Sequence, residues 1–333
     1  MDNKSKASAF FGKYAIYFIF VFLFLLVSVI NPRFLSVRVI KDVLMQSSVK
    51  LIVALGMMFV ILSGNIDLSG GRVLGFAAVV AGSLAQTGDF ARKFYPNLPE
   101  LPFFVPVIAA ILLAMCFALV NGLVITRLGV AAFIATLGTQ LAAYGLNSIY
   151  YNQEPNNSQP IGGFKKSFSF LGTGQIAGFF PCVLAISLVC AAIVHIVMRY
   201  HKFGRLVFAV GGNSEAAIVS GINTKKVILT VYLIAGFFFG LGGALEAART
   251  GGAQNNYGLS YEFDAISACT VGGVSMNGGV GAVPGVIIGV LIFILIQYGM
   301  NFIGINPYWQ NVVKGALIVV AVAIDARKYA KRR

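Results

Sequence analysis

The sequence predicts an all-α polytopic membrane protein of about ten transmembrane helices, and three observations carry that prediction. Hydrophobic residues make up 58% of the 333 positions and charged residues only 11%, against roughly 25% charged in soluble domains. No soluble fold covers that much apolar surface, whereas a bilayer acts as its solvent. The apolar residues also fall in runs close to the ~20 that a helix needs to cross the hydrocarbon core. Finally, the Lys and Arg residues gather in the tails and in short polar connections between those runs, as anchoring to a membrane surface requires.

Taken in order, apolar runs at 14–30, 43–62, 103–125, 176–198, 227–248, 283–303 and 312–324 read as membrane helices. The first follows Lys4, Lys6 and Lys13 like a signal peptide. It is long for a cleavable core, and Asn31-Pro32-Arg33 offers no small-residue cleavage site, so it reads as an uncleaved helix. Three further segments are less regular. That at 72–85 is short, that at 130–150 carries Gly138, Gly145 and several hydroxyls, and that at 264–281 is broken by glycines. Gly272, Gly273, Gly278, Gly279, Gly281 and Gly285, with Pro284, mark an interrupted helix. Irregular backbone at membrane depth survives only where protein or a water-filled cavity satisfies it. The stretch is therefore a candidate wall of a pathway, or else a seam where glycines bring helices close. The whole chain, 1–333, reads as one transmembrane domain with an inner loop at 199–226.

With the N-terminus inside and ten crossings, fifteen Lys and Arg residues fall inside and eight outside, while Lys50 and Lys314 lie within helices. Arg72 counts among the inside residues, and Arg33, Arg38 and Lys41 fall outside against the bias. Both termini are then cytoplasmic. Tyr144, Tyr150, Tyr151, Tyr308 and Trp309 fall toward outer ends, where amphipathic rings prefer the headgroup layer. A weak internal repeat is present: the run Gly64-Asn65-Ile66-Asp67-Leu68-Ser69-Gly70-Gly71 echoes Gly272-Gly273-Val274-Ser275-Met276-Asn277-Gly278-Gly279. Glycine-interrupted segments in matching places of two halves point to a transport path.

The net charge of +14 would suggest nucleic acid in a soluble protein. Its placement here fits membrane lipid, and no nucleic-acid partner is expected. Cys116, Cys182, Cys190 and Cys269 lie in apolar runs without a CxxC, so they read as small buried hydrophobes, with no metal site. His195 and His201 read as interfacial. No GxxxxGK[ST] loop, HExxH or GxSxG occurs, and no paired catalytic side chains, so no catalytic residue is assigned and no cofactor is expected on this chain.

The inner loop is the most informative segment. At 211–223 it reads Gly-Gly-Asn-Ser-Glu-Ala-Ala-Ile-Val-Ser-Gly-Ile-Asn. Asn213 or Ser214 caps a helix, Glu215 suits the positive end of its dipole, and Gly221 ends it in a left-handed conformation. Ala216 and Ala217 keep it slim. A two-turn helix is marginal alone in water, so this one is expected to dock a partner, through Gly212, Asn213, Ser214, Glu215, Ala216, Ala217 and Gly221.

Ionisable residues at membrane depth are functional candidates by default. The path candidates are Asp67, Ser69, Glu246, Asp264, Gly272, Gly273 and Asn277. Two of them have a structural alternative. Asp67 also suits a helix N-cap within Asp67-Leu68-Ser69, and Glu246 with Arg249 suits an i, i+3 salt bridge.

The chain resembles the permease subunits of bacterial monosaccharide ATP-binding-cassette importers, the family that includes the ribose and xylose permeases. The likeness runs over nearly the whole chain. It includes Gln46-Ser47-Ser48-Val49, Asp67-Leu68-Ser69 with Gly71-Arg72, Ala135-Thr136-Leu137-Gly138-Thr139 and Gly211-Gly212-Asn213-Ser214-Glu215-Ala216-Ala217. It continues through Leu245-Glu246-Ala247, Asp264-Ala265-Ile266, Val271-Gly272-Gly273-Val274-Ser275 and Lys314-Gly315-Ala316. Asn306-Pro307-Tyr308-Trp309-Gln310 and the run at 145–151 look like the galactoside branch. The resemblance implies a homodimer in the bacterial inner membrane, a cytoplasmic ATPase docked at 213–221, and a periplasmic sugar-binding protein above. ATP and Mg²⁺ would be held by the ATPase. It implies galactose or a methyl galactoside as cargo, with ribose or xylose as the alternative, moved by alternating access. A proton-coupled sugar transporter using Asp67 and Glu246 as relays is the reading from another class; a passive channel or membrane enzyme lacks its charge ring or catalytic cluster.

Overall fold

A computed structural model describes residues 18 and 20–330. The start of the first predicted helix, at 14–17, lies outside the described residues, as does the C-terminal basic cluster from Lys331 onward. The described elements are α1 (Phe20–Ile30), a 3₁₀ turn at Pro32–Leu35, α2 (Val37–Leu62), α3 (Gly70–Leu84), α4 (Phe104–Leu128) and α5 (Ala132–Tyr151). There follow α6 (Lys166–Thr173), α7 (Cys182–Tyr200), α8 (Lys202–Gly212), α9 (Ser214–Val219) and α10 (Thr224–Thr250). The last are α11 (Tyr261–Val271), α12 (Val283–Phe302) and α13 (Pro307–Ala330). Five of them, α2, α4, α7, α10 and α12, are long and apolar enough to cross a membrane.

The centre of the bundle is α10, packed against α2, α3 and α4. Gly236 of α10 packs on Ala118 and the Ala114 backbone of α4, and Gly240 on the backbone of Ala110 and Ile111, the small-residue packing that brings membrane helices together. From Val49 onward α2 is buried on every side. By contrast, α4, α5 and α7 expose Ile108, Leu112, Leu141, Ile149, Val189 and Ile193, the surface a bilayer covers.

The structure departs from the sequence expectations where the backbone is irregular. Helix α2 begins at Val37, so Arg38 and Lys41 belong to a helix and not to an outer loop. The glycine-rich segment is interrupted as its glycines indicate, but its helix begins and ends earlier than the 264–281 run, at Tyr261–Val271, and the chain is helical again from Val283 with Pro284 in its first turn. Chain 251–260 returns along α3 in non-helical form, and it fits because α3 presents Gly71 and Gly75 to Gly258 and Tyr257. Its backbone is partly satisfied by Ala253, which exchanges both amide bonds with Ile161 at 2.8 and 3.0 Å. Buried protein thus supplies what lipid cannot.

At the end of the bundle opposite α8 and α9, loops 85–103, 152–165 and 174–181 form a cap. Gln86 donates to Gly162 O (2.9 Å) and accepts from the Phe94 amide (2.6 Å). Exposed Glu100 accepts from the Gly88 amide (2.9 Å) and pairs with Lys165 (3.1 Å). These two contacts hold its carboxyl below the usual carboxylate range. A depressed carboxylate contributes its stabilisation above its unfolded value and loses it as pH falls through the folded one. Protection of the Gly88 amide from hydrogen exchange, taken relative to the free-chain rate at the same pH, is therefore expected to be high at neutral pH and to fall on acidification or in Glu100→Gln. Protection indifferent to both changes would show that the contact does not hold this loop.

Candidate functional site

The helix expected at 213–221 forms as α9. Asn213 is extended (φ −160°, ψ 101°), and its side-chain oxygen accepts from the Ala216 amide at 2.9 Å. Glu215 is exposed in the first turn. Gly221, at φ +80°, donates to Ile218 O, and Ile222 donates to Ala217 O, closing the end in the manner of a Schellman turn. Ala217 is buried beneath, while Ser214, Glu215, Ala216, Ile218 and Val219 face outward, Val219 at 88% exposure.

Missing from the sequence reading was α8, which carries α9. It starts where His201 Nδ1 accepts from the Phe203 amide (3.2 Å), and Phe203 meets Phe59 of α2. It ends at a three-way junction of bare backbone. Gly211 lies against Leu62, the last residue of α2, and against Gly279, whose amide donates to Leu62 O at 2.9 Å. Gly278 (φ +82°) approaches Gly64 and Gly211. The two segments of the internal echo therefore touch each other, at the end of α8 from which α9 follows.

Deeper in the bundle lies a chain of charges. Asp264 of α11 pairs with Lys50 of α2 and, at 3.1 Å, with Lys314 of α13. The Lys50 ammonium sits 3.1 Å from the centre of the Tyr261 ring. Tyr261 donates to Glu246 Oε1 at 2.9 Å, and Arg249 grips Glu246 with two bonds of 2.8 and 3.1 Å. Charges this deep persist only when paired and hydrogen-bonded. The row ties α2, α10, α11 and α13 together.

The sequence-derived path candidates fall in three places. Glu246 and Asp264 are joined through Lys50 and Tyr261. Asp67 and Ser69 form a second group: Asp67 Oδ1 accepts from the Ser69 amide (2.8 Å) and hydroxyl (2.6 Å), and Asn121 of α4 donates to Ser69 (3.0 Å). Gly272, Gly273 and Asn277 lie in the turn between α11 and α12, where Gly272 packs on Gly285 and Asn277 is exposed. Arg72, counted among the inner charges by sequence, instead lies in α3 with its guanidinium over the Tyr144 ring (4.3 Å). The non-helical chain at 63–69 carries α3 to that level before it starts.

A further polar group joins Glu262, an ionisable residue at depth, to residues of α5 that were not singled out in the sequence. Gln140 of α5 donates to Glu262 of α11 (2.9 Å), and Asn147 donates to Asn255 O (3.3 Å). The signal was available, since Thr136, Gln140, Ala143 and Asn147 recur at helical spacing on one face of an otherwise apolar run. Among the described residues, no three His, Cys, Asp or Glu side chains gather as metal ligands would.

Comparison with known proteins agrees with this architecture. Residues 39–322 match the family described as branched-chain amino acid transport system, permease component. The chain is 43% identical to a galactose/methyl galactoside import permease of Haemophilus influenzae and 42% to that of Escherichia coli, each over 99% of both chains. It is 38% identical to a ribose import permease of Bacillus subtilis, over 92% of this chain and 91% of that one. No solved structure matches. A helical bundle with exposed apolar flanks, charges paired at depth, and full-length likeness to import permeases lead to one conclusion: the chain belongs to this family of membrane transport permeases.

Proposed function

We propose that the chain is the membrane-spanning subunit of an ATP-driven importer that moves galactose or a methyl galactoside across the bacterial inner membrane. Two copies would form the pathway, a cytoplasmic ATPase would dock on α9 of each, and a periplasmic sugar-binding protein would deliver cargo to the opposite face. The whole chain would act as one transmembrane domain with both termini cytoplasmic. ATP and Mg²⁺ would be held by the partner, and this chain would bind no cofactor and perform no chemistry. Alternating access would follow when ATP binding closes the ATPases and displaces α9.

The observation that carries this reading is α9 itself. It is a six-residue helix, capped at both ends, exposed on its outer side and packed on α8 and α10, and the end of α8 that carries it meets α2 and the 278–279 turn. A helix so short is held by its surroundings and not by its own propensity, so a push on it is passed to the bundle. A proton-coupled transporter would need a relay between Asp67 and Glu246. Asp67 is instead engaged by Ser69 and Glu246 by Arg249, and among the described residues no chain of hydrogen bonds joins the two.

Glu215→Arg, or Ala216→Trp, is expected to abolish sugar uptake while the permease still accumulates in the membrane with an unchanged melting temperature. Copurification of an ATPase with the wild type, and hydrolysis stimulated by the liganded binding protein, are expected alongside. Normal uptake in both variants, or uptake that collapses with an uncoupler and needs no ATPase, would sink the proposal.

A further inference from the structure

The way α5 is attached points to a contact surface for the cargo. Most buried helix faces are apolar; this one is hydrogen-bonded. The Thr136 hydroxyl accepts from the Leu68 amide (3.1 Å), Thr139 donates to Asn121 (2.5 Å), Gln140 to Glu262 Oε1 (2.9 Å), and Asn255 to Ser148 (3.4 Å). On the other side Gly138 and Gly145 face open space, and Tyr144 is 41% exposed at the edge of the seam beneath the Arg72 guanidinium.

Polar capacity along this seam is left over. Glu262 Oε2, Asn147 Oδ1 and Arg72 Nη1 are buried without a hydrogen-bond partner, and Glu262 and Asn147 are each only 1% exposed. Leaving such atoms bare is costly in water-free surroundings. An apolar seam resists parting in water in proportion to its area. A hydrogen-bonded seam parts at small net cost when water or a hydroxylated guest replaces its partners. The seam is therefore built to open.

We infer that the α3–α5–α11 seam is where the sugar touches this chain in transit, with Arg72, Gln140, Tyr144, Asn147 and Glu262 as contacts. This rests on the import function proposed above and assigns it a place. The chemistry matches a neutral polyol: Glu262 and Asn147 accept from hydroxyls, Arg72 and Gln140 donate to ring or hydroxyl oxygen, and the Tyr144 ring covers a C–H face. One cation and one anion leave the site without net charge, which suits an uncharged guest.

The test uses the complete importer, with its ATPase and binding protein, in liposomes. Tyr144→Cys is made in a background whose four native cysteines are replaced by serine, beside Val189→Cys on the lipid-exposed flank of α7. A charged, membrane-impermeant thiol reagent is expected to modify Tyr144→Cys during ATP turnover, and galactose to slow that modification; Val189→Cys should react only with a lipophilic maleimide. In the native-cysteine protein, Gln140→Leu and Tyr144→Ala are expected to lower the sugar moved per ATP hydrolysed by about tenfold, the scale of losing one positioned hydrogen bond or stacked ring. They should also change the ranking of deoxygalactose analogues. The inference is overturned if the charged reagent never reaches Tyr144→Cys, or if both variants keep wild-type coupling and ranking. If the wild type itself moves no hexose, or moves a zwitterionic amino acid instead, the functional proposal fails, a separate outcome.

Discussion

Asp264→Ala is expected to destabilise the permease by about 3–5 kcal/mol, the usual cost of removing one partner from a buried ion pair. The size follows from what is left behind. Lys50 and Lys314 both point at this carboxylate, from α2 and α13. Lys50 is 7% exposed and would keep the Tyr261 ring and, beyond it, the Glu246 carboxylate already held by Arg249 as neighbours for its charge. Two ammonium groups facing each other without the intervening anion would also repel. Asp264→Asn should fall between, since it keeps a hydrogen-bond acceptor but no charge. Replacing all three residues together by apolar ones of similar size (Lys50→Met, Asp264→Leu, Lys314→Met) should recover most of the loss. Thermal unfolding in detergent micelles, followed by labelling of buried Cys269, measures all three. An Asp264→Ala protein that melts with the wild type would mean that the two lysines find water without unfolding the bundle.

Gly211→Val is the second change with a large expected effect. A Cβ at this position would fall far inside van der Waals contact with Leu62 O and 2.8 Å from the Gly279 amide. Both neighbours are backbone and cannot swing aside like a flexible side chain. They also bond to each other, so any shift costs that hydrogen bond. The cost should be at or above the ~1–3 kcal/mol of ordinary overpacking. Gly212 supplies the control. A Cβ there meets nothing within 4 Å, so Gly212→Ala should leave the melting temperature unchanged. Equal melting of Gly211→Val and Gly212→Ala would show that the junction is looser than its backbone contacts imply.

Much of the architecture was legible because hydropathy reports how long an apolar run is. The runs of α2, α4, α7, α10 and α12 were placed to within a few residues at most ends. Hydropathy does not report whether an apolar run is helical throughout, but the glycines do. At 264–281 they marked an interruption, and Gly272 ends the helix there before the chain turns back toward Val283. The segment at 202–212 was too short and too mixed to signal a span, so α8 was missed, while α9 was found because Asn213 and Gly221 are local signals. Lys50 and Asp264 lie 214 positions apart, and no local pattern announces such a pair. Their depth marked both as unusual, but only the fold shows that each is the other's partner. Similarly, Asp67 was offered both as a path residue and as a cap; its bonds to the Ser69 amide and hydroxyl make a local turn just before α3, whose own N-cap position is Ser69.

The non-helical return at 251–260 bears on how the protein is made. Helix α11 has eleven residues, a length of about 16 Å, roughly half the hydrocarbon core. It also carries Glu262 and Asp264. The insertion machinery sorts segments by length and hydrophobicity, and by that measure α11 has little claim on the bilayer. Its place is prepared by elements already there: the glycine notches of α3, the Glu246 carboxylate that receives Tyr261, and Lys50. Membrane entry of this part of the chain is thus a folding step and not a threading step. Ribosome-bound chains halted just after α11 should leave it accessible to aqueous label if the face of α3 is blocked by Gly75→Leu, and sheltered if that face is intact.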